Sequence, residues 1–341
     1  MNRLGLDRFS ALYLGVIFIV VFGIWTPNLF LTSSTVHTIA SSQAINAILA
    51  IAVIVPLVAG VFDLSVGAVC NLSAVVVAVL QQRDGWGVWP SILVAVGVAF
   101  VIGVVNGFIV VKLRVGAFIA TLGTATIIGA FQTIVSNQTQ PLPPESKTWT
   151  NLTQTQFLGG FQVIILYVIA LALLFWWLLD HTPSGRQLYA AGGNPDAARL
   201  SGVNVDKWTW VSLIVSATLS GVAGVLYCSL NGPSLTFGGA LLLPAYAAAF
   251  LGSTQIKPGR FNIWGTIIAV YVLATGIQGL QYVTGVQWLG DMFNGIALVV
   301  AVSFASLAPR VKAKRAQAAA VEERLKHDDQ SQRPAEELVP S

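Results

Sequence analysis

The sequence predicts an all-α, polytopic membrane protein with about ten transmembrane helices and both termini in the cytoplasm. Hydrophobic residues make up 55% of its 341 residues and charged residues only 9%, whereas a soluble domain carries about 25% charged residues. The apolar residues form long runs, and a helix needs about 20 of them to cross a bilayer. A transmembrane β-barrel would show short alternating segments instead, and the sequence has none.

Ten apolar runs mark the predicted spans. The first run is longer than the core of a secretory signal, and no small-residue cleavage site follows it, so we expect it to be retained. Pro244 interrupts the eighth run, which predicts a broken or re-entrant element at that point. The predicted spans cover residues 11–31, 38–60, 64–82, 88–111, 116–137, 161–180, 209–230, 240–254, 262–283 and 290–308.

The distribution of basic residues supports this order, because cytoplasmic loops carry an excess of Lys and Arg. With the N-terminus inside, 16 of the 18 basic residues lie on the cytoplasmic side, and only Arg83 and Lys147 lie outside. Removing one span would move the charged C-terminal segment to the outer side, so an even number is favoured. The chain therefore divides into a transmembrane domain, 1–308, and a charged cytoplasmic tail, 309–341, which is predicted to be largely disordered.

The apolar runs contain almost no ionisable side chains. An ion-coupled transporter needs titratable groups there, and only Asp63 and Asp291 approach a span, each at its start. The three histidines, His37, His181 and His327, are not spaced as a catalytic or metal-binding group. No lysine follows a glycine, as it does in a nucleotide phosphate-binding loop. We therefore expect no enzyme activity, no metal site and no bound cofactor in this chain.

Uncharged polar side chains remain inside the predicted spans. They can line a route for a neutral, hydroxyl-rich solute, or they can hydrogen-bond one helix to another, and the sequence leaves both roles open. The candidates for a solute route are Gln43, Asn46, Asn71, Asn106, Thr121, Thr124 and Asn294, and Gln132, Gln278 and Gln281 share their setting. The stretch "FDLSVG", 62–67, adds Asp63, Ser65 and Gly67 as structural or gating candidates, with Asp63 predicted to cap the following helix.

The longest polar connection on the inner side, about 181–208, is predicted to contain a helix of its own. Asn194 is a good N-cap, and Pro195 is tolerated at the first helical position. Asp196 suits the positive end of the helix dipole, and Gly202 is placed as the C-terminal stop. The predicted helix covers about 195–201.

The predicted helix would present small apolar residues and one cation to a groove of a partner. The residues on this surface are Ala197, Ala198, Leu200 and Arg199. The glycines that precede the helix, Gly185, Gly192 and Gly193, are expected to allow tight turns.

The stretch "GRQLYAAGGNPDAARLSGV" in this connection closely resembles the cytoplasmic loop of permeases from ribose-type ABC importers, the simple-sugar branch of that superfamily. "FDLSVG", "NGFIVVKLRVGAFIATLGT" at 106–124 and "MFNGIALVVAV" at 292–302 resemble further segments of the same family. The resemblance covers about residues 40–305. It departs from the family where Val61 follows Gly60, and where the glutamate expected after the seventh span is absent from "GGALLLPAYAAAFLGSTQIKPGRFNIWG".

The resemblance implies a multi-pass permease subunit of the inner membrane that imports a monosaccharide or related polyol. It implies a second permease copy or a paralogue, an extracytoplasmic sugar-binding protein, and a cytoplasmic ABC ATPase that binds ATP and Mg²⁺. The alternatives are a permease for a branched-chain amino acid or a furanone-like signal, and a non-transporting membrane scaffold. Nucleic acid is not expected as a partner. The residues expected to couple this chain to the ATPase are Gly185, Arg186, Gly192, Gly193, Asn194, Pro195, Ala197, Ala198, Arg199, Leu200 and Gly202.

Overall fold

The computed structural model describes residues 6–303 of the chain. The predicted tail, 309–341, and the end of the tenth predicted span lie outside the described residues. Helices account for most of the described chain. The first half contains α1 (Leu6–Trp25), α2 (Pro27–Phe30), α3 (Ser33–Ser42), α4 (Ala44–Val58), α5 (Val66–Gln82), α6 (Val88–Gly107) and α7 (Ala117–Val135). The second half contains α8 (Lys147–Gln154), α9 (Ile164–His181), α10 (Pro183–Gly193), α11 (Pro195–Leu200), α12 (Val205–Asn231), α13 (Phe237–Ser253), α14 (Ile263–Thr284) and α15 (Trp288–Ser303).

The apolar helices correspond one to one with the ten predicted spans and confirm the all-α polytopic fold class. Within residues 6–303, six helical segments are long and apolar enough to cross a membrane: Ser33–Val58, Val88–Lys112, Ala117–Val135, Ile164–His181, Val205–Asn231 and Ile263–Thr284. Four shorter apolar helices account for the remaining spans: Ala11–Trp25, Val66–Gln82, Phe237–Ser253 and Trp288–Ser303.

Helix α4 occupies the centre of the bundle. All of its residues from Ala44 to Val58 are buried, as expected for a helix that is apolar on every side. Helices α9, α12, α13 and α14 pack around it. The peripheral helices instead present large apolar side chains at their surface, for example Ile119 and Ile134 on α7. This is the arrangement expected of a bundle whose solvent is lipid.

One local expectation was wrong, and one connection contains structure that the sequence analysis did not predict. Helix α13 runs without interruption from Phe237 to Ser253 through Pro244, because neighbouring helices hold the segment in place despite the missing proline donor. The outer connection between α7 and α9 contains α8 and a small antiparallel hairpin that pairs Phe157 with Phe161. Trp149 of α8 is fully buried, and hydrogen bonds to Ser229 fasten this helix to the end of α12.

The loops that the charge distribution assigns to one side of the membrane do meet at one end of the bundle. Arg114 pairs with Asp206 at 2.9 Å, and Lys257 pairs with Asp180 at 2.7 Å. The Tyr189 hydroxyl donates to the Phe261 carbonyl at 2.5 Å. These contacts join the connections at 112–116, 181–204 and 254–262 into one surface, which we call the basic face. Its excess of Lys and Arg predicts that it faces the cytoplasm.

Candidate functional site

The connection at the centre of the basic face contains two helices, α10 and α11, of which only α11 was predicted. Helix α10 begins where the Thr182 hydroxyl accepts a hydrogen bond from the Gly185 N–H at 3.3 Å, with Pro183 at the first helical position. Helix α11 begins as predicted, because Asn194 Oδ1 accepts from the Ala197 N–H at 3.1 Å. Side-chain caps of this kind satisfy amides that a helix end leaves unpaired.

The end of α11 also follows the prediction. Gly202 has a φ of +82°, a value that glycine adopts without the steric cost of a side chain. Its N–H donates to the Arg199 carbonyl at 3.0 Å, and the Val203 N–H donates to the Ala198 carbonyl at 2.9 Å. This pair of bonds is a Schellman motif, which closes a helix sharply. Helix α11 is therefore a short helix with a defined beginning and end.

The expectation that Gly185, Gly192 and Gly193 form turns was wrong, because all three lie within α10. Gly185 and Gly192 instead permit close packing. A Cβ atom at Gly192 would lie 2.0 Å from the Val58 carbonyl oxygen, and one at Gly185 would lie 2.2 Å from the Leu179 carbonyl oxygen. Gly193 has open space around it. The end of α10 is thus held directly against the end of α4.

Helix α10 is also fixed to the connection between α13 and α14. The Arg260 guanidinium lies 3.6 Å from the centre of the Tyr189 ring, which is within the range of a cation–π contact. Burial raises the pKa of the Tyr189 phenol, so the hydroxyl stays protonated and donates to Phe261. Arg260 and Lys257 both approach Asp180 at the end of α9, at 3.6 and 2.7 Å.

The structure divides the predicted surface of α11 into a buried and an exposed side. Ala198 is 5% exposed and packs with Ala191 and Val205, so its expected position in a groove of a partner was wrong. Leu200 is 92% exposed, and Ala197 is exposed as well. The other exposed residues of the two helices include Arg186, Pro195, Asp196 and Arg199, and Arg199 lies within 3.5 Å of Asp206.

We expect the replacement of Gly192 by alanine to destabilise the contact between α10 and α4. The added methyl group would overlap with the Val58 carbonyl, and overpacking of this kind costs about 1–3 kcal/mol. Gly193→Ala is the matched control, because it adds the same methyl group where nothing lies within 4 Å. Thermal unfolding of the detergent-purified proteins measures the difference. Equal stability of the two variants would contradict the packing explanation.

The loop that follows α4 contacts Gly192 of α10 and contains a buried carboxylate, Asp63. Gly60 lies against Gly192. Three residues later, Asp63 Oδ1 accepts hydrogen bonds from the Ser65 N–H at 3.0 Å and from the Ser65 hydroxyl at 2.6 Å. Asp63 was predicted to cap α5, but the helix begins only at Val66, and the carboxylate instead binds the turn that precedes it.

Residues from three further helices converge on this turn. Asn106 of α6 donates to the Ser65 hydroxyl at 2.9 Å. Thr121 of α7 accepts from the Leu64 N–H at 3.0 Å. The Tyr246 hydroxyl of α13 accepts from the Asp63 N–H at 3.1 Å and donates to the Asp63 carbonyl at 2.9 Å. We call the buried group of Asp63, Ser65, Asn106, Thr121 and Tyr246 the Asp63 junction.

Sequence analysis found four members of the Asp63 junction and missed Tyr246. It placed Asn106 and Thr121 among candidates for a solute route, whereas the structure commits both side chains to bonds with the loop before α5. Tyr246 lies in an apolar run with no motif around it, so no local pattern could have distinguished it. Its partner is 183 positions away in the chain.

Two other polar candidates, Asn71 and Gln132, hold the start of α13. Both side-chain amides donate to the Leu235 carbonyl, at 3.0 and 2.8 Å. Asn71 also accepts from the Gly238 N–H at 2.8 Å. Gly67 makes this contact possible, because a Cβ atom there would lie 2.4 Å from the Gly238 carbonyl oxygen. Gly67 therefore has a packing role at the crossing of α5 and α13.

The remaining polar candidates are not members of the Asp63 junction, although Thr124 bonds to the backbone of one member. Asn46 donates to Gln43 at 3.4 Å, and the Thr124 hydroxyl bonds to the carbonyl of Thr121 in its own helix. Asn294 lies on α15, and Gln278 and Gln281 lie on α14.

The profile of a family described as "Branched-chain amino acid transport system / permease component" matches residues 35–302, which is most of the chain. The chain belongs to this family of transport permeases. It is a multi-pass protein of the cell membrane, in agreement with the apolar helices described above.

Curated relatives of this permease have names that refer to different sugars. The ribose import permease protein RbsC of Bacillus subtilis (strain 168) is 32% identical over 307 residues, which cover 89% of this chain and 92% of the relative. The D-allose transport system permease protein AlsC of Escherichia coli (strain K12) is 27% identical, with 87% and 91% covered. The fructose import permease protein FrcC of Rhizobium meliloti is 29% identical, with 84% and 82% covered.

Proposed function

We propose that this chain is the membrane-spanning subunit of an ATP-driven importer for a monosaccharide or related polyol. The observation that carries this proposal is the similarity to permeases for ribose, allose and fructose, which extends over 84–89% of the chain. The mechanism requires an extracytoplasmic sugar-binding protein, a cytoplasmic ATPase that binds ATP and Mg²⁺, and a second permease copy or a paralogue. With the ATPase bound to the basic face, this face and both termini of the chain would be cytoplasmic.

The ATPase would bind the exposed side of α10 and α11. The capped ends of α11 support this role, because a helix that transmits movement of the ATPase must not unfold at its ends. Leu200 supplies an apolar anchor that no residue of the described chain covers. Arg199 precedes it in the chain, and Arg186 is exposed on α10. Exposed ion pairs contribute only about 0–1 kcal/mol, so Leu200 would contribute more binding free energy than either arginine.

Movement of α10 would reach the membrane helices through the Asp63 junction. Gly192 touches the loop after α4, and that loop carries Asp63 and Ser65. The junction connects it to α6, α7 and α13 by direct hydrogen bonds. A displacement of α10 driven by ATPase closure would therefore shift several helices together. The opposite face, with α8 and the hairpin, offers the surface for the binding protein.

Transport by the reconstituted complex tests this proposal. Proteoliposomes that hold the permease and its ATPase, supplied with the binding protein outside, are expected to accumulate a labelled sugar from a panel including ribose, allose and fructose. Accumulation should require ATP and Mg²⁺ on the ATPase side and no ion gradient, because the predicted spans contain almost no titratable groups for ion coupling.

Three outcomes would contradict it. Uptake by the permease alone, driven by a proton or sodium gradient, would exclude ATP-driven import. Competition by leucine but by no sugar would favour the branched-chain amino acid alternative, which the family description supports. Unchanged uptake in cells that lack the chain would favour a non-transporting scaffold.

A further inference from the structure

A cleft of about 580 Å³ opens on the basic face between the end of α6 and the beginning of α12. The chain forms a π-helical turn at Phe108–Lys112, directly after α6. Such turns are rare and are often found at functional sites. The exposed Lys112 and Lys207 define what we call its entrance, and the half-buried Val104, Trp210, Val211 and Ile214 define its inner part.

The entrance carries a positive charge that is not neutralised within the described chain. Neither Lys112 nor Lys207 forms an ion pair with any residue in 6–303, although Lys207 lies 5.6 Å from the centre of the Trp208 ring. Asp206 is the acidic residue of the cleft. Its carboxylate is already bound by Arg114 at 2.9 Å and by Arg199 at 3.5 Å. The two lysines are therefore available to an anion.

The inner part of the cleft is lined by apolar side chains and runs along α12. Seven residues separate Lys207 from Ile214, which corresponds to about 10 Å along a helix. Trp210 forms one wall, and its indole N–H donates to the Val104 carbonyl at 3.2 Å. Its ring meets Phe108 edge-on at 6.5 Å. The cleft thus combines a cationic entrance with an apolar groove.

We propose that this cleft binds an anionic phospholipid of the adjacent leaflet. The phosphate lies between Lys112 and Lys207, and an acyl chain follows the groove past Val104 and Ile214. Basic pockets between transmembrane helices are suited to acidic lipid headgroups. A soluble acidic segment would reach the lysines but would leave the apolar groove uncovered, which is why the geometry favours a lipid. The bound lipid would connect α6 to α12 beside Arg199, independently of which solute is transported.

Lipid titration of the purified full-length chain, followed by native mass spectrometry, tests this inference. We expect one molecule of dioleoylphosphatidylglycerol to bind more tightly than dioleoylphosphatidylcholine. Lys112→Gln combined with Lys207→Gln should weaken phosphatidylglycerol binding about 30-fold, given the attraction of about 1 kcal/mol expected for each lysine near an anionic surface. Arg186→Gln is the control, because it removes an exposed charge from α10 outside the cleft.

A second variant distinguishes a lipid from a soluble anion. Val211→Trp fills the groove but leaves both lysines in place, and it should also weaken phosphatidylglycerol binding, while thermal unfolding confirms that the protein is folded. Glycerol phosphate, the headgroup without acyl chains, should not compete at millimolar concentration. Equal binding of the two lipids by the unmodified chain would overturn the proposal. So would normal phosphatidylglycerol binding by folded Val211→Trp, which would show that no acyl chain occupies the groove.

Discussion

Replacement of Leu200 by aspartate is expected to abolish solute uptake while the permease itself folds normally. Leu200 is 92% exposed, so the substitution removes no contact within the described chain. In a complex with the ATPase, burial of a leucine contributes about 1.5–3 kcal/mol, and an unpaired carboxylate in its place adds a desolvation cost. We therefore expect the affinity for the ATPase to fall by at least about 10-fold. Co-purification, ATP hydrolysis and uptake measure the three consequences.

Two further variants make this experiment specific. Asn137→Asp adds the same charge in the connection after α7, at an exposed position outside α10 and α11, and should keep most of the uptake. Ala198→Trp should act differently, by destabilising the permease, because Ala198 packs internally against Ala191 and Val205. If Leu200→Asp binds the ATPase and transports at the normal rate, α11 is not the docking helix.

Replacement of Asp63 by leucine is expected to stop transport and to lower the stability of the permease. The substitution removes the acceptor of two hydrogen bonds from Ser65 in a fully buried site. A buried donor left without a partner costs about 1–3 kcal/mol. Asp63→Asn keeps an acceptor oxygen, so it should preserve membrane insertion and uptake. Thermal unfolding and the uptake assay compare the two variants.

The matched control is Asp84→Leu, which removes a carboxylate that is 38% exposed and pairs only with its neighbour Arg83 among the described residues. Little change in stability is expected there, since exposed pairs contribute about 0–1 kcal/mol. If Asp63→Asn inserts normally but does not transport, the negative charge itself is required, and the acceptor role described here does not account for Asp63.

Features with local causes could be predicted from the sequence. The apolar runs predicted the helices because a backbone N–H or C=O group without a partner is very costly in lipid. A run of about 20 apolar residues can pair all of these groups within itself only as a helix. The ends of α11 were predictable for a similar reason. Asn194 bonds to an amide three residues away, and Gly202 adopts a backbone angle that its own lack of a side chain permits.

Features that depend on contacts between distant segments could not be predicted in this way. Beside Gly193, Gly192 was predicted to be a turn residue. In the structure, the Val58 carbonyl lies too close to position 192 for any side chain to fit there. Ala198 and Leu200 are both apolar residues of the same short helix, and only the position of Val205 decides which of them is covered. Asn106 and Thr121 were recognised as polar groups within the membrane, but their partners were not.

The sequence by itself determined the fold class, the number of apolar helices, the family and the ends of α11. Hydropathy, helix capping and backbone angles each depend on a few neighbouring residues. These features can therefore be predicted from the order of residues in the chain. Only the tertiary structure decided that α10 touches the loop leading to Asp63, that Tyr246 completes the junction, and that Leu200 is the exposed anchor. Each of these depends on atoms brought together by the packing of helices, because a hydrogen bond or a close contact is set by distance in space and not by distance along the chain.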